Sequence, residues 1–376
     1  MEKKLNIERI AQAMESLGLN QAGLAQKIEV SRAIVSAWFK GDKFPRPDKL
    51  LKLGLTLGLP FQDLVEKTLS VNEPVVAFRK KATRITRDTH MAQAKEMGKL
   101  LELLVPYIPF NRMFQPPALK SPRLEFDFIQ RAAETIRREM DLKSTDLIDF
   151  DQLISKINAF EVILIPVFHG SKENHDNALH IYLPSSKTTW IYLNLDSNIL
   201  DFRFWMAHEL GHVLSSSLSG DMAEDFADAF AQALLFPSDQ AAAAHMSITK
   251  MRSKKERINK IIEISKALTI SPVTVYKAIN GYAEAKRLPA IPIEPDIYIA
   301  TANLNKTIAN VSMTLCKEPS PPAAKYIEIT KTVFHSPFFD ILKVYLSEND
   351  KSPGFIQSIL DTSILDAKAI HAELVG

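Results

Sequence analysis

The sequence predicts a multidomain, mainly α-helical protein with an α+β core, in which a small antiparallel sheet precedes a helix carrying His208-Glu209-Leu210-Gly211-His212. Three observations carry that expectation. Apolar residues recur at helical spacing through much of the 376-residue chain, short β-branched and aromatic runs cluster between Val162 and Leu195, and the first seventy residues break into short capped helices that read as a five-helix bundle.

In the bundle, Asn20 and Ser31 are good helix caps, so Gln21 to Ile28 and Arg32 to Phe39 read as two short helices joined by a tight turn. Leu17, Leu24, Ala25, Ile28, Val30, Ile34, Val35 and Trp38 are expected to supply the buried side. Lys40-Gly41 followed by Pro45 ends the second helix, and Leu50, Leu53, Leu57 and Leu59 continue the apolar face in one or two more. Residues 1–70 form the expected first domain.

Residues 71–122 read as a connector. It carries a helical stretch around Met91 to Leu104 and then Pro106, Pro109, Pro116, Pro117 and Pro122, which break regular structure. Arg79, Lys80, Lys81, Arg84 and Arg87 form a basic cluster that suits either a polyanion or a solvated linker face.

Residues 123–288 hold the expected α+β core. Phe128, Ile129, Ala132 and Ile136 give helical spacing to Leu124 to Met140, and a second helix covers Phe150 to Ala159. Val162 to Phe168, Leu179 to Leu183 and Trp190 to Leu195 read as three antiparallel strands, whose edge offers backbone groups to an extended peptide. His169, His175 and His180, in or near that sheet, match no metal-ligand spacing and read as surface or packing residues.

The helix after the sheet carries the chemistry. His208 and His212, four positions apart, share one helical face, and Glu209 is placed to reach a water held by a metal they share. Neutral imidazoles hold zinc without quenching its charge, and a catalytic zinc keeps one of four positions for a water whose pKa falls to about 7. Glu209 then fits the general base of a hydrolase. Met222 to Phe236 reads as a following helix, mostly apolar, stopped by Pro237. Its polar residues Glu224, Asp228 and Gln232 share a face, which suits a third ligand at Glu224 and a carboxylate at Asp228 that orients a ligand histidine. The alternative is an ordinary solvated face continued by Asp221 and Asp225. A third histidine after His212 is absent, with Ser215 and Leu218 where that pattern needs Gly and His, so Glu224 is the best candidate.

Arg203-Phe204, Ala207 to His212 and Glu224-x-x-Ala227-Asp228-x-Phe230-Ala231-x-x-Leu234-Leu235-x-Pro237, with the strand Trp190 to Asn194 before them, resemble the core of ImmA/IrrE-type metallopeptidases over about residues 120 to 280. The resemblance implies a zincin-like peptidase core with His208, His212 and Glu224 as ligands of one zinc per chain and Glu209 as the catalytic residue. Asp228 stands where that family often has Asn. The opening run Gln21-x-x-Leu24-Ala25-x-x-Ile28-x-Val30-Ser31, then Ile34-x-x-x-Trp38 and the Gly41…Pro45 exit, resembles the xenobiotic-response-element class of bacterial repressors. That likeness implies a repressor-like bundle with Arg32, Ala33 and Ser36 on base edges, and Gln21, Lys40 and Lys43 on phosphates. Ser31, at the start of the same helix, joins that set.

Past the core, Ile258 to Leu268 and Ile270 to Tyr276 suggest a second helix-turn-helix-like pair after the basic run Lys250 to Arg257, expected to pack on the core rather than bind DNA. Residues 289–376 form an expected C-terminal domain without a motif, helical over Phe334 to Leu346 and Phe355 to Leu374. Net charge is +2 overall with a more basic first hundred residues, and 46% of residues are hydrophobic. No apolar run reaches the roughly 20 residues of a membrane span, and no signal peptide opens the chain, so a cytoplasmic protein is expected. Cys316 alone excludes an internal disulfide. The combined expectation is a DNA-binding regulator whose zinc peptidase domain cuts a regulator protein, with self-cleavage left open. The alternative is a repressor or antitoxin-like binding protein whose peptidase fold senses a partner. Expected partners are a double-stranded DNA operator, a protein substrate or partner regulator and, from operator symmetry, a second copy in a homodimer.

Overall fold

The computed structural model describes residues 5–40, 43–59, 64, 73–77, 84–109, 118–168, 178–318 and 320–376. The chain divides into two compact units, Met1–Glu73 and Pro74–Gly376.

The first unit contains α1 (Ile7–Ser16), α2 (Gln21–Lys27), α3 (Arg32–Phe39) and α4 (Pro47–Leu57). Asn20 accepts from the Gly23 amide at 2.9 Å and Ser31 from the Ile34 amide at 3.3 Å, so both expected caps satisfy helix-start donors. Pro47 starts α4 and Gly58, at φ +66°, ends it in the left-handed conformation that glycine adopts without cost. Ile10, Leu24, Ile28, Val35, Trp38 and Leu53 interlock in the centre. Leu17 and Ile34, expected inside, are 51% and 38% exposed. They lie off the faces that α1 and α3 turn inward, which apolarity alone does not reveal. The segment expected to carry the fifth helix lies mostly outside the described residues; Leu64, described within it, is helical.

The second unit begins with β1 (Val75–Ala77), α5 (Arg84–Glu102) and a 3-10 turn (Val105–Tyr107). It continues through α6 (Phe126–Glu139), α7 (Phe150–Asn158), β2 (Ile163–Val167), β3 (Ala178–Leu183), β4 (Thr188–Asn194), α8 (Ile199–Leu214) and α9 (Gly220–Leu235). Helices α10 (Ser238–Thr249), α11 (Lys254–Leu268), α12 (Pro272–Ala285), α13 (Asp296–Asn305) and α14 (Val311–Cys316) come next. The last four are α15 (Ala323–Thr332), α16 (Phe338–Glu348), α17 (Pro353–Leu360) and α18 (Ile364–Val375). The stretch Phe355 to Leu374 is thus two helices rather than one, broken where Asp361 turns to φ +46°.

The strands form one sheet in the order β1-β3-β4-β2. It is mixed, not antiparallel as expected: β2 runs parallel to β4, from Ile163↔Trp190 to Val167↔Asn194, while β3 pairs antiparallel with β4. The sign was in β2 itself, whose five residues are all buried, because a continuous apolar run marks a strand covered on both faces. The stretch expected to be a connector contributes β1, which pairs antiparallel with β3, and α5, which lies against the same strand. Three residues are too few for any periodic signal.

Both faces of the sheet are covered. Leu164, Ile191 and Leu193 point to one side, into a core with Ile136, Phe202, Leu210, Phe226 and Phe230 of the surrounding helices. Ile163, Ile165, Ile181, Trp190 and Tyr192 point to the other, against Met97 and Leu101 of α5 and against Phe338, Leu342, Ile356 and Ile370 of the C-terminal helices. Residues after 289 therefore belong to the same compact unit: Ile291, Ile293, Ile297 and Val311 join the first core, while the helices from α16 onward roof the other face of the sheet. Buried tyrosines fasten that roof, with the Tyr192 hydroxyl donating to the Ile359 carbonyl at 2.8 Å and that of Tyr326 to the Pro166 carbonyl. Val275, Tyr276 and Ile279 of α12 join the first core, in line with a packing role for the α11–α12 pair.

Candidate functional site

Helix α8 is buried along its whole length from Phe202 to Leu214, as expected of a helix apolar on nearly every side. Asn198 caps it by accepting from the Leu200 amide at 2.9 Å. Arg203 fixes its flank: the guanidinium lies 4.5 Å over the Phe150 ring and donates to the Leu268 carbonyl at 2.6 Å. Burial lowers this arginine to about 10.

Gly211 sets how close the next helix comes. A Cβ at this position would stand 2.9 Å from the Ala227 Cα, so α8 and α9 meet nearly backbone to backbone here. That approach brings Glu224 to the two histidines. The Nε2 atoms of His208 and His212 are 3.0 Å apart, and Glu224 places Oε2 3.5 Å from the first and Oε1 3.4 Å from the second. One donor atom from each residue lies within 4.8 Å of the other two, the only such group of three His, Cys, Asp or Glu residues among the described residues. A tetrahedral zinc with bonds of about 2.0–2.1 Å requires its donors roughly 3.3 Å apart, so the residues fit that ion without rearrangement.

The surroundings of the cluster are equally specific. His208, Glu209, His212 and Glu224 are each 6% exposed or less. Asp228, one turn after Glu224, lies 2.9 Å from His208 Nδ1, which directs Nε2 of the ring toward the other donors. Burial acts to lower the His208 pKa, but the Asp228 and Glu224 carboxylates outweigh it and hold the ring at about 9. Burial opposes the charge of Glu224 as well, yet its two histidine contacts bring it down to about 2. His212 is lowered, chiefly by burial.

Sequence reasoning missed His180. Its side chain is buried under the sheet, with Nδ1 3.4 Å from Glu209 Oε2 and its ring centroid 5.6 Å from that of His212. It stands outside the three-donor group and is buried rather than on the surface, packed beside the Glu209 carboxylate. Contacts between a strand and a helix follow no fixed spacing, so only its place in the strand two before the helix pointed to it. His169 and His175 lie outside the described residues. A cavity of about 210 Å³ opens beside the cluster, bordered by Val75, Val76, His180, Tyr182, His212, Glu224 and the loop Ser215–Gly220.

In the first unit, Arg32 and Ala33 are exposed at the start of α3 and Ser36 is half-buried one turn on, while Val35 and Trp38 face the core. Gln21 is half-buried at the start of α2, and Lys40 and Lys43 are exposed after α3. Ser31 is exposed, its hydroxyl oxygen engaged as the α3 cap. Gly41, Arg79, Lys80 and Lys81 lie outside the described residues.

Residues 10–64 match a helix-turn-helix family model, and residues 160–280 match the model of the IrrE N-terminal-like domain. The chain joins these two modules. No curated protein and no solved structure matches the chain. The helix-turn-helix module marks a DNA-binding regulator, and the IrrE-like domain, whose family is one of metallopeptidases, implies a bound metal. That domain spans β2 to most of α12, so the strand β1 lies outside it. No described helix is long and apolar enough to cross a membrane.

Proposed function

We propose that this chain is a transcriptional regulator whose IrrE-like domain hydrolyses a peptide bond in a regulator protein, with zinc held by His208, His212 and Glu224. The observation that carries the reading is the buried donor set on two helices that meet at Gly211, with Glu209 beside it and a cavity opening onto it. Zinc bound there supplies a Lewis acid and lowers the pKa of a water to about 7. Glu209 takes the proton of the attacking water on its carboxylate and returns it to the leaving amine nitrogen as the C–N bond breaks. His180, 3.4 Å away, fixes which way that carboxylate points. Asp228 holds His208 through Nδ1 and so keeps Nε2 turned to the cluster.

The DNA-binding half rests on the exposed start of α3. In this reading Arg32, Ala33 and Ser36 face base edges in the major groove, Gln21, Lys40 and Lys43 hold phosphates, and Ser31 belongs to the same contact set; the exposure of Arg32, Ala33, Lys40 and Lys43 supports it. Such a regulator works in the cytoplasm, where its operator is. The experiment compares new protein N-termini in cells carrying the wild type and Glu209→Gln. A cleaved regulator seen only with the wild type, while both proteins keep zinc and the operator, is the expected result. Identical termini in both would leave the domain as a sensor.

A further inference from the structure

We infer that β1 is an internal competitor for the substrate: Val75–Ala77 occupies the strand position on β3 that an extended peptide must take beside the metal cluster. The inference rests on the peptidase reading and deepens it.

Strand β3 passes over the cluster, since its His180 lies 3.4 Å from Glu209. One side of β3 is paired with β4. The other is the edge at which an incoming chain would add as a further strand, satisfying its backbone groups and aligning a scissile bond. In this protein that edge is filled by β1, antiparallel, with Val75 opposite Tyr182, Val76 opposite Ile181 and Ala77 opposite His180. The same strand lines the cavity that His212 and Glu224 also line.

The contact is built into the fold. Pro74 is buried against α5 at Gly98, where an added Cβ would stand 2.5 Å from the Pro74 Cβ and 2.7 Å from its Cγ. Any side chain at position 98 would push Pro74, and β1 after it, off its seat. Val76 packs into the core behind the sheet. The hold is nevertheless light, because three residues make a short ladder and Val75 is 52% exposed. A longer substrate strand gains more ladder bonds than it displaces. The occupant also indicates the chemistry accepted: an extended, uncharged segment with small or β-branched side chains, as in Pro74-Val75-Val76-Ala77. β1 comes from outside the IrrE-like domain and directly follows, in sequence, the unit that ends at Glu73.

The test uses full-length zinc-loaded protein carrying Glu209→Gln, so that the probe stays intact, and a fluorescein-labelled peptide copying residues 73–80 against a scrambled control. Gly98→Ala unseats β1, and Val76→Pro does so by a second route that leaves α5 unchanged. The pair Val75→Cys with Tyr182→Cys locks it, since opposed residues of an antiparallel pair lie about 4.5–5.5 Å apart, within disulfide reach. The expected result is binding at least tenfold tighter to either unseated protein than to the parent, and none to the oxidised lock until it is reduced. Equal affinity for parent, unseated and locked proteins, or no binding to both unseated proteins, overturns the inference. Hydrolysis by proteins that retain Glu209 is read separately, and its absence counts against the peptidase reading alone.

Discussion

Gly211→Ala adds one methyl group at the point where α8 and α9 cross, a position with no room for it. The new Cβ would lie 2.9 Å from the Ala227 Cα, 3.3 Å from its Cβ and 3.3 Å from Cδ1 of Phe230, with both neighbours fully buried. Carbon atoms pack at about 3.5–4.0 Å, so the helices must part by roughly 0.6–1.1 Å. Overpacking of this kind costs about 1–3 kcal/mol, although alanine is the better helix former by about 1 kcal/mol. The movement separates His208 and His212 from Glu224, and metal sites hold their distances to within about 0.2 Å. If the strain falls on the zinc-loaded state, affinity drops about 5- to 150-fold, since each 1.4 kcal/mol is tenfold. Competition titration with a chromophoric chelator reads that loss, and thermal melting of the metal-free variant reads the remainder. Wild-type zinc affinity together with a wild-type melting temperature would refute the reasoning.

Three other consequences are open to measurement. In the metal-free protein His208 is raised above its ordinary 6.5 to about 9, so its ion pairs stabilise fully below pH 6.5 and the contribution disappears as pH rises through 9. The melting temperature of metal-free protein should fall across that window, and zinc uptake at pH 7.5 should release the His208 proton, seen by calorimetry in buffers of different ionisation enthalpy; buffer-independent heats would contradict this. Arg137, 2% exposed, donates to the carbonyls of Lys143, Asp146 and Leu234, joining α6 to the end of α9. Arg137→Met leaves those carbonyls unpaired and should cost about 3–5 kcal/mol by denaturant melting, where a loss under 1 kcal/mol would show the site solvated. Replacing Arg32 and Ser36 together by alanine should remove operator selection at physiological salt while leaving zinc content unchanged, and retained selection would move the recognition surface off α3.

The features legible in the sequence are those fixed by helical spacing. His208 and His212 share a face because they are four apart, and Glu224 and Asp228 likewise, whatever the tertiary context. The caps at Asn20 and Ser31 are legible for the same reason, being interactions within three residues. The hidden features depend on contacts between distant segments. His180 meets Glu209 across a strand and a helix, Pro74 meets Gly98 and Gly211 meets Ala227, and no local pattern encodes any of the three. The amphipathic C-terminal helices announce that they bury a face, but not that the face lies on the back of the sheet. The parallel pairing of β2 is written in its unbroken apolar run, although the polar turns between the neighbouring runs point to an antiparallel sheet.

Zinc content tests the central claim most directly. Purified wild-type protein, dialysed against zinc and then against buffer, should carry about one zinc per chain by elemental analysis, and His212→Ala and Glu224→Ala should each lose it while staying folded. A wild-type value well below one, or full zinc in both variants, would contradict a metal centre built from His208, His212 and Glu224.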